Sequence, residues 1–189
     1  PLVRVFRPFA QIVPVAKDGG IKTFDELGKE SRGIERWGVL RMDVDNLGDL
    51  FRKGFRRGDR DCLTLSRVAA LSFSLRLFFE GYLSTIGRRW KGKLYLQYAG
   101  GDDLFIVGAW DALPEFAAEV RKQFGEYACN NPSATLSGGI TLHPEKFPLY
   151  RAADEAHGAE QAAKRHKRGQ PVQDPAATTW EKDALCFLD

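Results

Sequence analysis

The stretch Lys93–Gly108 constrains this chain more than any other. Leu94, Leu96 and Tyr98 alternate with Tyr95 and Gln97, the period of a strand with one buried face. Leu104 to Val107 is an apolar run closed by Gly108. Between the two lies Gly100-Gly101-Asp102-Asp103, so the segment reads as a hairpin with two carboxylates near its tip. Glycine tolerates a positive φ and lets a ligand come close to the backbone. Neighbouring carboxylates repel, and a divalent cation removes that cost while phosphate oxygens complete its shell. An acidic Gly-Gly-Asp turn standing alone is more often a solvated surface turn.

A second acidic motif, Asp43-Val44-Asp45-Asn46-Leu47-Gly48, gives the hairpin a partner. It follows Trp37-Gly38-Val39-Leu40-Arg41-Met42, which reads as a buried strand, so Asp43 falls at that strand's C-terminal end. Open α/β sheets place their ligands at such ends. A neighbouring strand can then bring Asp43 beside Asp102.

The rest of the chain supplies a frame for these two motifs. Residues 1 to 16 read as two short extended segments, followed by a turn at Lys17-Asp18-Gly19-Gly20. Thr23 with Glu26 three residues on is a capping box for a short helix. Leu47 to Phe51 is a short helix or turn. Residues 52 to 60 carry five basic residues and two glycines, either a solvated loop or a clamp for phosphates or RNA. A helix is expected over 61 to 86, with Leu65, Val68, Leu71, Leu75, Phe78, Tyr82 and Ile86 on its buried face. Asp111 is expected to cap the next helix, whose stripe is Phe116, Ala117, Val120, Phe124 and Tyr127. Thr135 to Leu142 reads as a strand whose interior glycines mark close contact with a backbone or ligand. A helix over Pro148 to Arg168, a loop over 169 to 179 and a last strand at Ala184 to Leu188 complete the chain.

The core order is β-α-β-β-α-β, then a helix and a strand. The fold class is α/β (α+β): a ferredoxin-like βαββαβ palm, its antiparallel sheet covered by helices, of the nucleotidyl-cyclase and polymerase-palm type. The acidic hairpin is expected between the two central strands. Residues 1–36 are set apart as extended segments and a short helix at the end of a preceding domain, and 37–189 as the palm. The chain begins at Pro1, as an excised piece would.

Composition excludes several classes. A chain of 189 residues, 43% hydrophobic and 28% charged, is that of an ordinary globular protein. No apolar run is long enough to span a bilayer and no signal peptide is visible. A net charge of +3 does not by itself argue for nucleic acid. Cys62, Cys129 and Cys186 lie far apart in apolar contexts, reading as reduced core residues of a cytoplasmic protein. His143, His157 and His166 have no metal-ligand spacing.

The chemistry that remains is metal-assisted. An EF-hand needs an oxygen ligand at its fifth position and Glu at its twelfth; counted from Asp43 these are Leu47 and Gly54. No P-loop occurs, so metals and side chains must hold any nucleotide phosphates. Two Mg²⁺ or Mn²⁺ ions about 4 Å apart suit in-line displacement at phosphorus. Asp43 and Asp102 are the first choices as bridging ligands, with Asp103 third and the Val44 carbonyl as a further hard oxygen. Asp45 either ligates metal or caps the turn through Asn46. Lys164 either reaches a triphosphate or is a cation at a helix C-terminus.

Taken together, the motifs resemble the GGDD-bearing palm of the large subunit of type III CRISPR (Cas) effector complexes, of the Csm branch. The resemblance rests on Gly38–Gly48, Tyr98–Phe105 and Ser137-Gly138-Gly139-Ile140. It rests also on the helix with Ala153, Ala156, Glu160 and Lys164, and on Lys182-Asp183-Ala184-Leu185. It covers the chain from about Glu26 onward. It implies a nucleotidyltransferase that converts ATP to cyclic oligoadenylates in antiviral defence, by attack of a 3′-hydroxyl on an α-phosphate with release of pyrophosphate. It implies Asp43, Asp102 and Asp103 as catalytic and metal-binding residues with Val44, and Gly100, Gly101, Asn46, Ser137 and Lys164 around the nucleotide. It implies a second palm, from a homodimer or a larger chain, and effector subunits with guide and target RNA as partners. No His-Asp dipeptide of an HD nuclease and no cysteine-based zinc site is present. A diguanylate cyclase would carry Gly-Gly-Asp/Glu-Glu-Phe, whereas the fourth and fifth residues here are Asp103 and Leu104. A catalytically silent nucleotide-binding or scaffold palm of a ribonucleoprotein is the other reading.

Overall fold

A computed structural model describes residues 10–166 and 182–187. Helix α1 (Phe24–Lys29) opens on the expected capping box, in which Thr23 and Glu26 satisfy each other's backbone N–H groups. Strand β1 (Trp37–Val44) runs into α2 (Leu47–Lys53) and a small ribbon, β2 (Arg56–Arg57) and β3 (Arg60–Asp61). Helix α3 (Leu65–Arg76) passes through a π-helical turn (Leu77–Tyr82) into α4 (Leu83–Gly87). The hairpin strands are β4 (Leu94–Gly100) and β5 (Asp103–Ala109), followed by α5 (Leu113–Tyr127), β6 (Leu136–His143), α6 (Leu149–Arg165) and β7 (Leu185–Phe187).

The main sheet has the order β4-β5-β1-β6-β7. Its first four strands pair antiparallel, and β7 joins β6 in parallel. Leaving β7 aside, this is the ferredoxin-like arrangement, with β1 and β5 in the middle. The acidic hairpin therefore joins outer strand β4 to central β5, rather than two central strands. A ferredoxin-like crossover puts the second strand of the motif at the edge.

Helices cover both faces. Leu40, Met42, Leu104, Ile106 and Ile140 pack under α3, α4 and α5 through Phe78, Phe79, Leu83, Phe116 and Phe124. Val39 and Val107 pack on the other face with Trp37, Ala152 and Ala156 of α6. Ile12 and Leu27 are also buried, and the Leu96 N–H donates to the Ile12 carbonyl at 2.9 Å.

Several expectations change. The helix expected from 61 starts at Leu65, capped by Thr64. Its face rotates at the π-helical turn, because one extra residue per turn shifts the phase. Phe79 and Leu83 enter the core, while Leu65 is 85% exposed and Tyr82 42%. Asp111 lies inside a 3₁₀ turn (Trp110–Ala112) and accepts a hydrogen bond from Lys93 at 2.9 Å instead of capping α5. Tyr127 is half-exposed and donates to the Ser74 carbonyl. Cys129 is exposed and Cys62 and Cys186 are partly so; none is a core residue. The extended reading of residues 1–9, the loop over 169–179 and the last residues of the helix drawn to Arg168 lie outside the described residues. Among the described residues no helix is long and apolar enough to cross a membrane.

Candidate active site

The two acidic motifs meet at one end of the sheet. Asp43 is the direct cross-strand partner of Asp103 on β5 and of Ser137 on β6. Paired residues of an antiparallel ladder share a face, so the Asp43 and Asp103 side chains stand side by side. Asp102 sits in the turn beyond, and its carbonyl accepts the Val44 N–H at 3.1 Å, closing the hairpin tip onto the end of β1. Gly101 makes this turn possible with φ +66°. The Asp103 carboxyl is pushed above its ordinary range, first by burial and then by the charge of Asp102. Tyr98 faces Asp103, whose negative charge pushes the phenol up.

Helix α6 lays a set of charges over this pair. It can do so because Gly139, opposite Arg41, has no side chain: a Cβ there would lie 2.3 Å from the Glu160 nitrogen and 2.7 Å from the Ala156 carbonyl oxygen. The helix backbone thus rests on the strand, as the interior glycines foretold, and its next turn overhangs Asp43. Lys164 forms an ion pair with Asp43 and lies 3.2 Å from Glu160, one helical turn before it. Glu160 is only 2% exposed and its second oxygen lies 2.8 Å from Arg41 Nε. Burial pushes the Glu160 carboxyl up, against the pull of Arg41. Burial pushes the Lys164 ammonium down, with the cations of Lys182 and Arg41 acting in the same direction.

Asp45 is tied into the core by hydrogen bonds. It is fully buried, and one oxygen accepts hydrogen bonds from Thr135 at 2.8 Å, Ser137 at 3.0 Å and the Asp183 N–H at 3.1 Å. Its other oxygen is buried without a hydrogen-bond partner. Ser137 is consequently buried and committed to Asp45. Asn46 adopts the left-handed conformation at the start of α2, and its side-chain oxygen accepts from Lys182 at 2.6 Å. The sequence assigns no site role to Arg41 or Glu160, and does not show the hydrogen-bond hub at Asp45. The signals for the first two were Arg41 two residues before Asp43 on the same strand face, and Glu160 four before Lys164 on a helix.

Gly100 and Gly101 border a groove of about 560 Å³ on the outer side of the hairpin, lined also by Gln11, Glu80, Tyr95 and Tyr98. Among the described residues, no three His, Cys, Asp or Glu side chains converge on one point that a metal could take. The oxygen donors that suit Mg²⁺ or Mn²⁺ are nevertheless at hand: the facing carboxylates of Asp43 and Asp103, Asp102 at the turn, and the Val44 carbonyl. The upward shift of Asp103 is the electrostatic cost that a cation would remove. In this conformation the cation on Asp43 is Lys164.

The family model for the Cas10/Cmr2 second palm domain matches residues 36–171. The chain belongs to that family. This palm is 41% identical over 150 residues to the single-strand-specific deoxyribonuclease Cas10/Csm1 (subtype III-A) of Methanocaldococcus jannaschii, covering 72% of the chain and 18% of that protein. It is 39% identical over 162 residues to the Enterococcus italicus Cas10/Csm1, covering 86% of the chain and 20% of that protein. The chain thus spans about a fifth of the length of the curated relatives it matches. Among solved structures, a Csm1–Csm4 cassette in complex with cA4 superposes with a TM-score of 0.73 at 30% identity, covering 93% of this chain and 27% of the other. The recognition of a type III CRISPR palm and the mixed α/β fold both hold.

Proposed function

We propose that this palm is the nucleotidyltransferase unit of a type III CRISPR effector and that it joins ATP into cyclic oligoadenylates. The observation that carries the reading is the juxtaposition of Asp43 with Asp103 at the strand ends, with Lys164 above them and the glycine turn beside them. Support comes from the similar Csm1–Csm4 cassettes, one of which is in complex with cA4 and another with one ATP.

In the reaction a 3′-hydroxyl attacks the α-phosphate of the next ATP and pyrophosphate leaves. Asp43, Asp102, Asp103 and the Val44 carbonyl would hold Mg²⁺ or Mn²⁺, which supplies activation of the attacking hydroxyl and neutralisation of the leaving group. Lys164 contacts the phosphates from α6. Gly100 and Gly101 leave the backbone open beside the groove where a nucleoside would lie. Asn46 shapes the chain leaving β1, and Ser137 acts through Asp45. A second palm, from a longer chain or a second copy, completes the site, and effector subunits with guide and target RNA control it in the cytoplasm.

Incubation of the purified chain with labelled ATP and Mn²⁺, followed by product separation, tests this. Oligoadenylates that vanish in Asp102→Ala support it. Metal-dependent ATP binding without product marks a half-site awaiting its other palm. Neither product nor binding identifies a scaffold and sinks the reading.

A further inference from the structure

The charges around Asp43 form a chain that the reaction itself does not require. Arg41 reaches Glu160, Glu160 reaches Lys164, and Lys164 reaches Asp43, so two cations and two carboxylates alternate from β1 to α6 and back to β1. The two ends have different surroundings. Glu160 is 3% exposed at its side chain, whereas Asp43 is 22% exposed and Lys164 17%. Glu160 is therefore a fixed anchor, while the Lys164–Asp43 contact lies nearer to solvent. The α6 backbone rests on β6 at Glu160 itself, where Gly139 has no side chain. Contact with phosphate alone does not call for a buried carboxylate one turn away. A lysine that must be held when its other partner is taken does.

Asp43 has one carboxylate to share between Lys164 and a divalent ion. An ammonium and a metal compete for it, because the two cations repel. Metal entry therefore favours moving Lys164 off Asp43, and the carboxylate within reach to receive it is Glu160, 3.2 Å away. We propose that Glu160 is a positioning residue of this site: it holds Lys164 as the resident counter-ion of Asp43 and takes it up when a divalent cation arrives. Glu160 thereby sets how tightly Asp43 binds metal before any nucleotide is present. Arg41, on its far side, keeps the Glu160 charge from being stranded in the core. The inference rests on the metal-binding reading of Asp43 and adds a competition to it.

The test is Mn²⁺ binding without nucleotide, followed by calorimetry and by loss of the free-ion electron paramagnetic resonance signal. Lys164→Met removes the competing ammonium while keeping the length and packing of the stem. It should tighten Mn²⁺ binding by about tenfold, roughly the effect of one nearby opposite charge on a carboxylate. Glu160→Gln leaves Lys164 with Asp43 as its sole anion and should weaken Mn²⁺ binding severalfold. In the double variant the Glu160→Gln effect should disappear, since it acts through Lys164. A purely structural Glu160 would lower affinity equally in both backgrounds, and that result overturns the proposal. Where Glu160→Gln does not fold, Lys164→Met decides alone: unchanged or weaker Mn²⁺ binding overturns it. Wild-type binding that is lost in Asp43→Asn but unmoved in Lys164→Met refutes this inference and leaves the metal site standing. Absence of Mn²⁺ binding in every variant refutes the site itself.

Discussion

Asp43 and Asp103 are direct partners across the β1–β5 ladder, the last pair before the chain turns at Gly101-Asp102. Lys164 covers the Asp43 charge, so the repulsion that Asp103 meets comes from Asp102 in the turn.

The first prediction is the pH dependence that follows. The folded Asp103 carboxyl sits above its ordinary value because of burial and Asp102. The native state then holds this proton more tightly than the unfolded chain, so the penalty is full above the raised value. It is relieved as pH falls towards the ordinary carboxylate range. Glu160 is raised by burial and contributes with the same sign. In urea unfolding of the metal-free chain these two carboxyls should contribute a rise in stability as pH falls towards the ordinary carboxylate range, opposed by buried His143, whose depressed imidazole loses stability as it is forced to charge. Asp103→Asn should flatten that rise and stabilise the chain at neutral pH by about 0.5 kcal/mol. An unchanged slope in Asp103→Asn would assign the dependence to other groups.

The second prediction uses one substitution at two glycines. At Gly139 a Cβ would meet the α6 backbone at 2.3 Å, and backbone cannot step aside as a side-chain tip can. Gly139→Ala should cost about 1–3 kcal/mol and lift Glu160 and Lys164 away from the acidic pair. At Gly158, within α6, nothing lies within 4 Å of the added carbon. Gly158→Ala should stabilise by about 0.5–1 kcal/mol through helix propensity. Paired denaturant melts read both, and equal effects would mean that α6 does not rest on Gly139.

The third concerns Lys164 once nucleotide is present. Its contact with phosphate predicts that Lys164→Ala weakens ATP binding in Mg²⁺ by about 1.5–3 kcal/mol, the range of a charged hydrogen bond. A titration with a non-hydrolysable ATP analogue measures this. Unchanged affinity would leave Lys164 as a partner of Asp43 and Glu160 alone.

Much of the fold was legible because its signals are local. The capping box at Thr23, the apolar run into Asp43 and the alternation around Gly100-Gly101 each carry their own period or spacing. The closeness of Asp43 to the hairpin was legible too, since both motifs end strands. Which aspartate faces it was not: register, fixed by the whole ladder, puts Asp103 opposite Asp43 and leaves Asp102 in the turn. The rotated face of the α3–α4 helix was hidden for a similar reason, because a π-helical turn has no strong sequence mark. The pairing of Glu160 with Arg41 was hidden as well, because it depends on Gly139 bringing the helix down onto the strand.

Asp45 supports the fourth prediction. A carboxylate that accepts three hydrogen bonds on one oxygen, in full burial, ties together three segments: the end of β1, the start of β6, and the stretch leading into β7. That last stretch carries two consecutive residues in the left-handed region, Lys182 at φ +74° and Asp183 at φ +48°. Such backbone costs about 1–3 kcal/mol per residue and persists only where its surroundings impose it. Arg121 holds the Asp183 side chain at 2.7 Å, and Asp45 holds its N–H. Asp45→Ala strands two hydroxyls and one amide in the core and releases the strained stretch. It should cost about 3 kcal/mol or more, at 1–3 kcal/mol for each buried donor left unpaired. Asp45→Asn keeps an oxygen acceptor of the same reach and should cost markedly less. Hydrogen exchange separates this from general destabilisation: in Asp45→Ala the Asp183 and Ala184 amides should lose far more protection than those of β5, and Asp45→Asn should restore most of it. Uniform loss across the sheet would mean that Asp45 is a core residue like any other, and not the tie between β1 and the β7 segment.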